Sequence, residues 1–284
     1  MNLDTKKLVK ILSSFLILAL VFTSCKNKEL IQPGDTIEVA YNKAKGLYDK
    51  EKYGDAADAF ERVFSLARGT QYAQDSQYYL AQSHFKRGRY LLAASEYQRY
   101  SSLYPRSERR EDADFKEALS YYKISPRYKI DQQYTKRAIE KFRLYNSRYP
   151  NSEKVQEAAE YITELRSKLA HKLFGAAQLY MRTDRYEAAI IYYDLIISDY
   201  PESKWAERAL VNEIEAYNIY AEKSVRDKQD ERYGKAVETY EKYIQLFPNG
   251  PNRAEAESHV DKARVALANL GPVIEDNNSE SGTN

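Results

Sequence analysis

Two short strings carry the residue types of acyl-transfer chemistry, Ser83-His84-Phe85-Lys86 and Ser120-Tyr121-Tyr122-Lys123. A lysine three residues after a serine sits one helical turn away, where its amine can take the hydroxyl proton. The companion elements of such a site, Ser-Asp-Asn and Lys-Thr-Gly, occur nowhere in the chain. Both strings read as parts of longer helices, and no catalytic residue is assigned. The three histidines, His84, His171 and His259, are far apart and lack His-Glu-x-x-His spacing. With a single cysteine and no glycine-rich phosphate loop, no metal site and no cofactor are expected.

That cysteine has a different chemistry. Lys6, Lys7 and Lys10 precede an apolar run from Ile11 to Phe22, which leads to Thr23, Ser24 and Cys25. The run is shorter than the ~20 apolar residues of a membrane span, and the sequence after it is polar. Residues 1–24 therefore read as a removable signal peptide, and Val21 to Cys25 resembles a bacterial lipobox, with Phe22 where Leu is usual. In that reading Cys25 is lipidated, palmitate being one of the acyl chains, and residues 25–35 tether the folded part to a membrane. Removing 1–24 takes away three Lys and one Asp, leaving 41 basic and 41 acidic residues. A neutral chain with interspersed charges gives no support to a nucleic-acid partner. One stretch departs from balance, Tyr104 to Arg148, with twelve basic and seven acidic residues.

The elements that carry these residues repeat. There are 27 tyrosines, against nine Phe and one Trp, and they are placed systematically. An aromatic-proline punctuation recurs at Tyr104-Pro105-Arg106-Ser107, Tyr149-Pro150-Asn151-Ser152, Tyr200-Pro201-Glu202-Ser203 and Phe247-Pro248-Asn249-Gly250. Twelve residues before each proline stands Ala93, Ala138, Ala189 or Ala236, and a fifth copy is marked by Ala56. Around each alanine, offsets of −3, +4, +7 and +11 place aromatics or large apolar residues on one helical face, Thr135 at −3 and Ala67 at +11 being the exceptions. The small alanine allows a neighbouring helix to approach. Proline ends the helix, and the following serine suits the start of the next.

Four further expectations follow. The absence of proline between Ser152 and Thr183 predicts one long helix, a spine between two groups of repeats. The polar run from Val225 to Asp230 predicts an exposed loop. Arg253 to Leu270 predicts a capping helix, and 271–284 a disordered tail. Residues 36–150 are expected to form the N-terminal repeats 1–3, and 151–270 the long helix, repeats 4–5 and the cap.

Gly88, Tyr90, Ala93, Tyr97 and Pro105 stand in the order of the tetratricopeptide-repeat family, which the chain resembles from about residue 36 to 269. The resemblance implies an all-α fold, a tetratricopeptide-like α-solenoid of about five helix-turn-helix repeats. The alanine spacings of 37, 45, 51 and 47 exceed that family's 34-residue period. By register with the family, Tyr41, Lys45, Tyr48, Tyr78, Gln82, Phe85 and Lys86 would face a partner groove. A lipoprotein signal followed by such repeats is similar to the BamD family of outer-membrane β-barrel assembly lipoproteins. That likeness implies a non-enzymatic scaffold, lipid-anchored in the outer membrane and facing the periplasm. Its partners would be a BamA-like barrel protein with POTRA domains, docking on 185–269, unfolded outer-membrane proteins, held by 36–150, and other assembly-complex lipoproteins. The alternative is a repeat lipoprotein that scaffolds cell-wall or division enzymes.

Overall fold

The computed structural model describes residues 30–270. Cys25, the signal segment 1–24 and the tail 271–284 lie outside the described residues. Eleven helices and no strand are found among the described residues. They are α1 (Ile37–Asp49), α2 (Tyr53–Leu66), α3 (Gln71–Lys86), α4 (Tyr90–Leu103), α5 (Arg110–Lys123) and α6 (Gln133–Arg148), followed by α7 (Val155–Arg182), α8 (Tyr186–Asp199), α9 (Lys204–Glu222), α10 (Arg226–Leu246) and α11 (Arg253–Leu270). No described helix is long and apolar enough to cross a membrane.

The chain divides into two compact units after Arg89. The first holds α1–α3 around Ala40, Ala44, Ala56, Phe60, Val63 and Leu80. Residues 30–35, expected to belong to the tether, are packed here instead. Ile31 is buried in the same core, and Asp35 accepts both the Gln32 amide (2.7 Å) and the Lys43 ammonium (2.7 Å). Lys43, followed by the Gln32 amide, holds the Asp35 carboxyl below its usual range.

The second unit, α4–α11, has two core clusters. One runs from Ala94 to Leu169 and the other from Ala170 to Ala263. Helix α7, 28 residues long, supplies Leu165 and Leu169 to the first and Ala170 and Ala177 to the second. It is the spine expected from the sequence, and because the first cluster straddles residue 150, the packing does not divide there. The repeat register is realised throughout: Ala56, Ala93, Ala138, Ala189 and Ala236 are all fully buried, as are Phe60, Tyr97, Phe142 and Tyr193 four residues on. Burying each such aromatic contributes about 2–3 kcal/mol.

The turns repeat as closely as the helices. Two residues before the repeat tyrosine, Glu51, Gly88 and Asp184 take positive φ of 58°, 75° and 56°. The next amide then bonds back five residues, Lys52 to Leu47, Arg89 to His84 and Arg185 to Tyr180, at 2.9–3.0 Å. This left-handed closure satisfies carbonyls that the preceding helix leaves open. The last repeat departs from it. Val225 to Asp230 is not a loop, because α10 begins at Arg226 and carries Tyr233 within it. The run lacks apolar periodicity, but two of its charges find partners: Lys228 pairs with Glu231 and Arg226 bonds the Leu270 carbonyl, while just beyond it Arg232 stacks 3.5 Å over the Tyr220 ring.

The punctuation serine acts through the tyrosine seven residues before it. Tyr100 and Ser107 hydroxyls lie 2.6 Å apart, as do those of Tyr145 and Ser152. Each serine oxygen also accepts the amide two residues on, at 3.2 Å, so it closes the turn ahead of the helix rather than capping its first residue. In the fourth copy Gly250 replaces serine because the Glu207 carboxylate takes the place. A Cβ at Gly250 would approach Glu207 Oε1 to within 2.4 Å, and Tyr243 donates to that oxygen at 3.0 Å. In the third copy the tyrosine is Ile196, and the buried Ser203 Oγ has no hydrogen-bond partner. Ser152→Ala is therefore expected to cost about 1–2 kcal/mol in urea denaturation, whereas Ser203→Ala should be neutral or slightly stabilising. Equal losses at both serines would refute the pairing.

Candidate binding surfaces

In the first unit Tyr41, Tyr48 and Tyr78, picked from the sequence, join one aromatic cluster through Phe60 and Tyr79. Tyr41 packs on Tyr72 (5.3 Å between centroids) and Phe60 (6.0 Å), while Tyr48 packs on Tyr53 (5.4 Å) and Tyr79 (5.1 Å). Lys45 pairs with Asp49, and its ammonium lies 5.3 Å from the Tyr79 ring. Tyr41, Lys45, Tyr48 and Phe85 are half-buried and Lys86 is exposed. Tyr78 and Gln82 are buried, and the Gln82 amide donates to the Tyr78 hydroxyl at 2.8 Å. Burial pushes the Tyr48 hydroxyl above its ordinary range, followed by the nearby Tyr53, Tyr79 and Asp49. It remains a neutral phenol, able to donate a hydrogen bond.

The serines of the two Ser-x-x-Lys strings are turned inward. Ser83 Oγ donates to the Tyr79 carbonyl at 2.7 Å and Ser120 Oγ to the Lys116 carbonyl at 2.6 Å, each one turn back in its own helix. Both residues are fully buried.

A cleft in the second unit was not legible as a site from the sequence. It measures about 960 Å³ and is walled by the α5–α6 loop, α7 and the start of α9. The loop is organised by Gln132, 4% exposed, whose amide donates to the Arg127 (2.8 Å) and Ile130 (2.9 Å) carbonyls. Gln132 Oε1 in turn accepts from Thr135, whose oxygen lies 2.7 Å from Ser125 Oγ. This explains the exception at −3 in the repeat: Thr135 stands where the other copies have tyrosine because its hydroxyl holds the loop.

The loop presents Tyr128 face to face with His171 of α7 (3.6 Å, 19° between planes), and His171 stacks on Trp205 of α9 (3.9 Å, 15°). A Cβ at Gly175, one turn after His171, would meet the Tyr128 ring at 3.4 Å, an ordinary van der Waals contact. Lys129 lies over Tyr128 at 5.7 Å and Lys204 over Trp205 at 5.6 Å. The His171 imidazole is held below its ordinary value of 6.5, by burial first and then by Lys204 and Lys129. Burial likewise lowers Lys168, whose ammonium donates to Ser125 Oγ at 2.8 Å.

Trp205 is the only tryptophan, so its emission reports on this stack. An imidazolium quenches a stacked indole, and the quench should have its midpoint below pH 6.5 and vanish in His171→Gln. The sign for stability follows. Below about 6.5 the unfolded chain takes up this proton before the folded one does, so the stack loses stability as pH falls from that value toward the folded one. A midpoint at or above 6.5 would contradict the geometry.

The comparisons with known proteins bear on both surfaces. The family model described as "YfiO: Outer membrane lipoprotein" matches residues 33–232, which include the aromatic cluster and the cleft. The chain belongs to this YfiO family. A relative from Rickettsia prowazekii, outer membrane protein assembly factor BamD, is 27% identical over 215 residues, covering 74% of this chain and 84% of that protein. BamD from Caulobacter vibrioides is 24% identical over 192 residues, 68% of this chain and 63% of the relative. Among solved structures, the TPR2AB-domain:pHSP90 complex of yeast Sti1 aligns with a TM-score of 0.37 and 15% identity, over 80% of this chain and 98% of that one. The match to the YfiO family ends inside α10, so α11 and most of α10 lie beyond it.

Proposed function

We propose that this chain is a non-enzymatic scaffold for outer-membrane protein assembly, held at the membrane by a lipid on Cys25. The observation that carries the reading is the family match over 33–232, together with the BamD assembly factors similar to most of the chain. The fold supplies what a scaffold needs, stacked helix hairpins with rigid aromatic surfaces. Tyr41, Lys45, Tyr48, Tyr78, Gln82, Phe85 and Lys86 are assigned to capture of unfolded barrel proteins. The half-buried rings of Tyr41 and Tyr48 offer contact area at low entropic cost. Residues 185–269 would dock a BamA-like protein through a POTRA domain, and the scaffold would face the periplasm.

The test is affinity purification through the intact chain from membranes. A POTRA-containing barrel protein should co-purify, and Tyr48→Ala should lower recovery of unfolded barrel proteins several-fold without dissociating it. Recovery of amidases or other cell-wall hydrolases in its place would overturn the assembly reading. A Cys25→Ala chain should leave the membrane fraction, and its retention would count against the lipid anchor.

A further inference from the structure

We propose that the cleft between the α5–α6 loop, α7 and α9 docks an extended acidic segment of a partner protein, with one carboxylate at each end of the Tyr128–His171–Trp205 stack. Four cations line the cleft, Arg127, Lys129, Lys168 and Lys204, and among the described residues none of them forms an ion pair. Nearby cations of the same unit do: Lys141 with Glu117, Arg148 with Asp114, Lys154 with Asp112 and Arg166 with Glu202. The two carboxylates that line the cleft are already engaged, Glu164 by the Tyr122 hydroxyl and Glu202 by Arg166. The cleft thus carries a net positive charge that Glu164, facing Lys168, offsets only in part, and a carboxylate ligand would supply the rest.

The stack fixes the spacing of the ligand's charges. Imidazole fills the space between the two outer rings, at 3.6 and 3.9 Å, so the Lys129 and Lys204 ammoniums sit against different rings with the imidazole between those rings. Two separated carboxylates, one for each ammonium, match two cations held at different rings. An extended chain advances roughly 3.3 Å per residue and turns alternate side chains to one face. Acidic residues four positions apart then lie about 13 Å apart, with the residue between them on the same face, against the ring edges. A Glu-x-Leu-x-Glu arrangement meets both requirements, and the cleft's volume of about 960 Å³ accommodates it.

The docking does not rest on the assembly role, since it is read in purified protein. A blocked nonapeptide, Ser-Ser-Glu-Ser-Leu-Ser-Glu-Ser-Ser, is titrated against the full chain while Trp205 emission is followed. A saturable change is expected, with the Glu-to-Gln version binding at least tenfold more weakly. Lys129→Ala combined with Lys204→Ala should weaken binding at least tenfold, and arginine at both positions should restore it. Circular dichroism melting verifies that each variant is folded. The proposal is overturned if the Gln peptide binds equally, or if no change occurs up to ~1 mM. It is also overturned if inorganic phosphate at equal concentration gives the same change, or if vesicles of anionic phospholipid displace the peptide at stoichiometric lipid.

Discussion

Glu213→Gln is expected to stabilise the chain by about 2–3 kcal/mol at pH 7, and to flatten a loss of stability that the parent shows as pH rises. Glu213 lies on α9, 6% exposed, with Oε2 lacking a hydrogen-bond partner. Its carboxyl is pushed up to about 8, by desolvation first and then by Asp194, with Lys242 opposing. Lys242 is committed elsewhere, lying 3.2 Å from Asp194. The neighbouring Tyr217 phenol is itself raised to about 12, by burial and then by Glu213, Asp194 and Glu238.

The sign follows from the proton count. Below about 4.5 the carboxyl is protonated in both states and costs nothing, but between 4.5 and about 8 only the folded state keeps the proton. Stability is therefore lost as pH rises through that window and levels off above it. A glutamine keeps the shape and has no proton to lose, so its advantage grows from pH 5 to 8. Urea denaturation of both chains at pH 5, 6, 7 and 8 decides it. Parallel curves across those values would show that Glu213 is ionised and compensated in the folded chain.

Sequence periodicity exposed the architecture because the repeat is written in residue types that leave little choice. An alanine at a close helix approach, an aromatic one turn on and a proline stop specify helix, face and end together, and Ala138, Phe142 and Pro150 lie where those rules put them. The start of α10 was hidden because its first residue, Arg226, is held by a partner distant in sequence, the Leu270 carbonyl. The cleft was hidden for the same reason. Tyr128, His171 and Trp205 are separated by more than thirty residues each, and no spacing rule joins them. One local sign did exist: Thr135 breaks the tyrosine pattern at the place where the loop is tied down. The surface assigned to partner capture was legible in part. Register picked aromatic positions on α1 and α3, but Tyr78 is as buried as many core residues, since packing decides which tyrosine of a helix is covered.

The repeat rule makes its strongest quantitative claim at Phe142. The residue is fully buried on α6, packed edge-on to Phe115 (5.8 Å) and stacked on Tyr161 (5.1 Å). Truncation to alanine removes a ring from between three helices, and the long α7, bound by its second core, cannot collapse into the space. Phe142→Ala should therefore cost about 3–5 kcal/mol. One turn earlier, Ala138→Leu should cost about 1–3 kcal/mol, because a branched side chain has no room where helices meet at a fully buried alanine. The two sites share a face, so in the double variant the added leucine occupies part of the vacated ring space. The combined loss should fall short of the sum by about 1 kcal/mol or more. Strict additivity would mean that alanine and aromatic occupy separate packing environments, and that the spacing read along the chain marks two independent contacts rather than one interlocking unit.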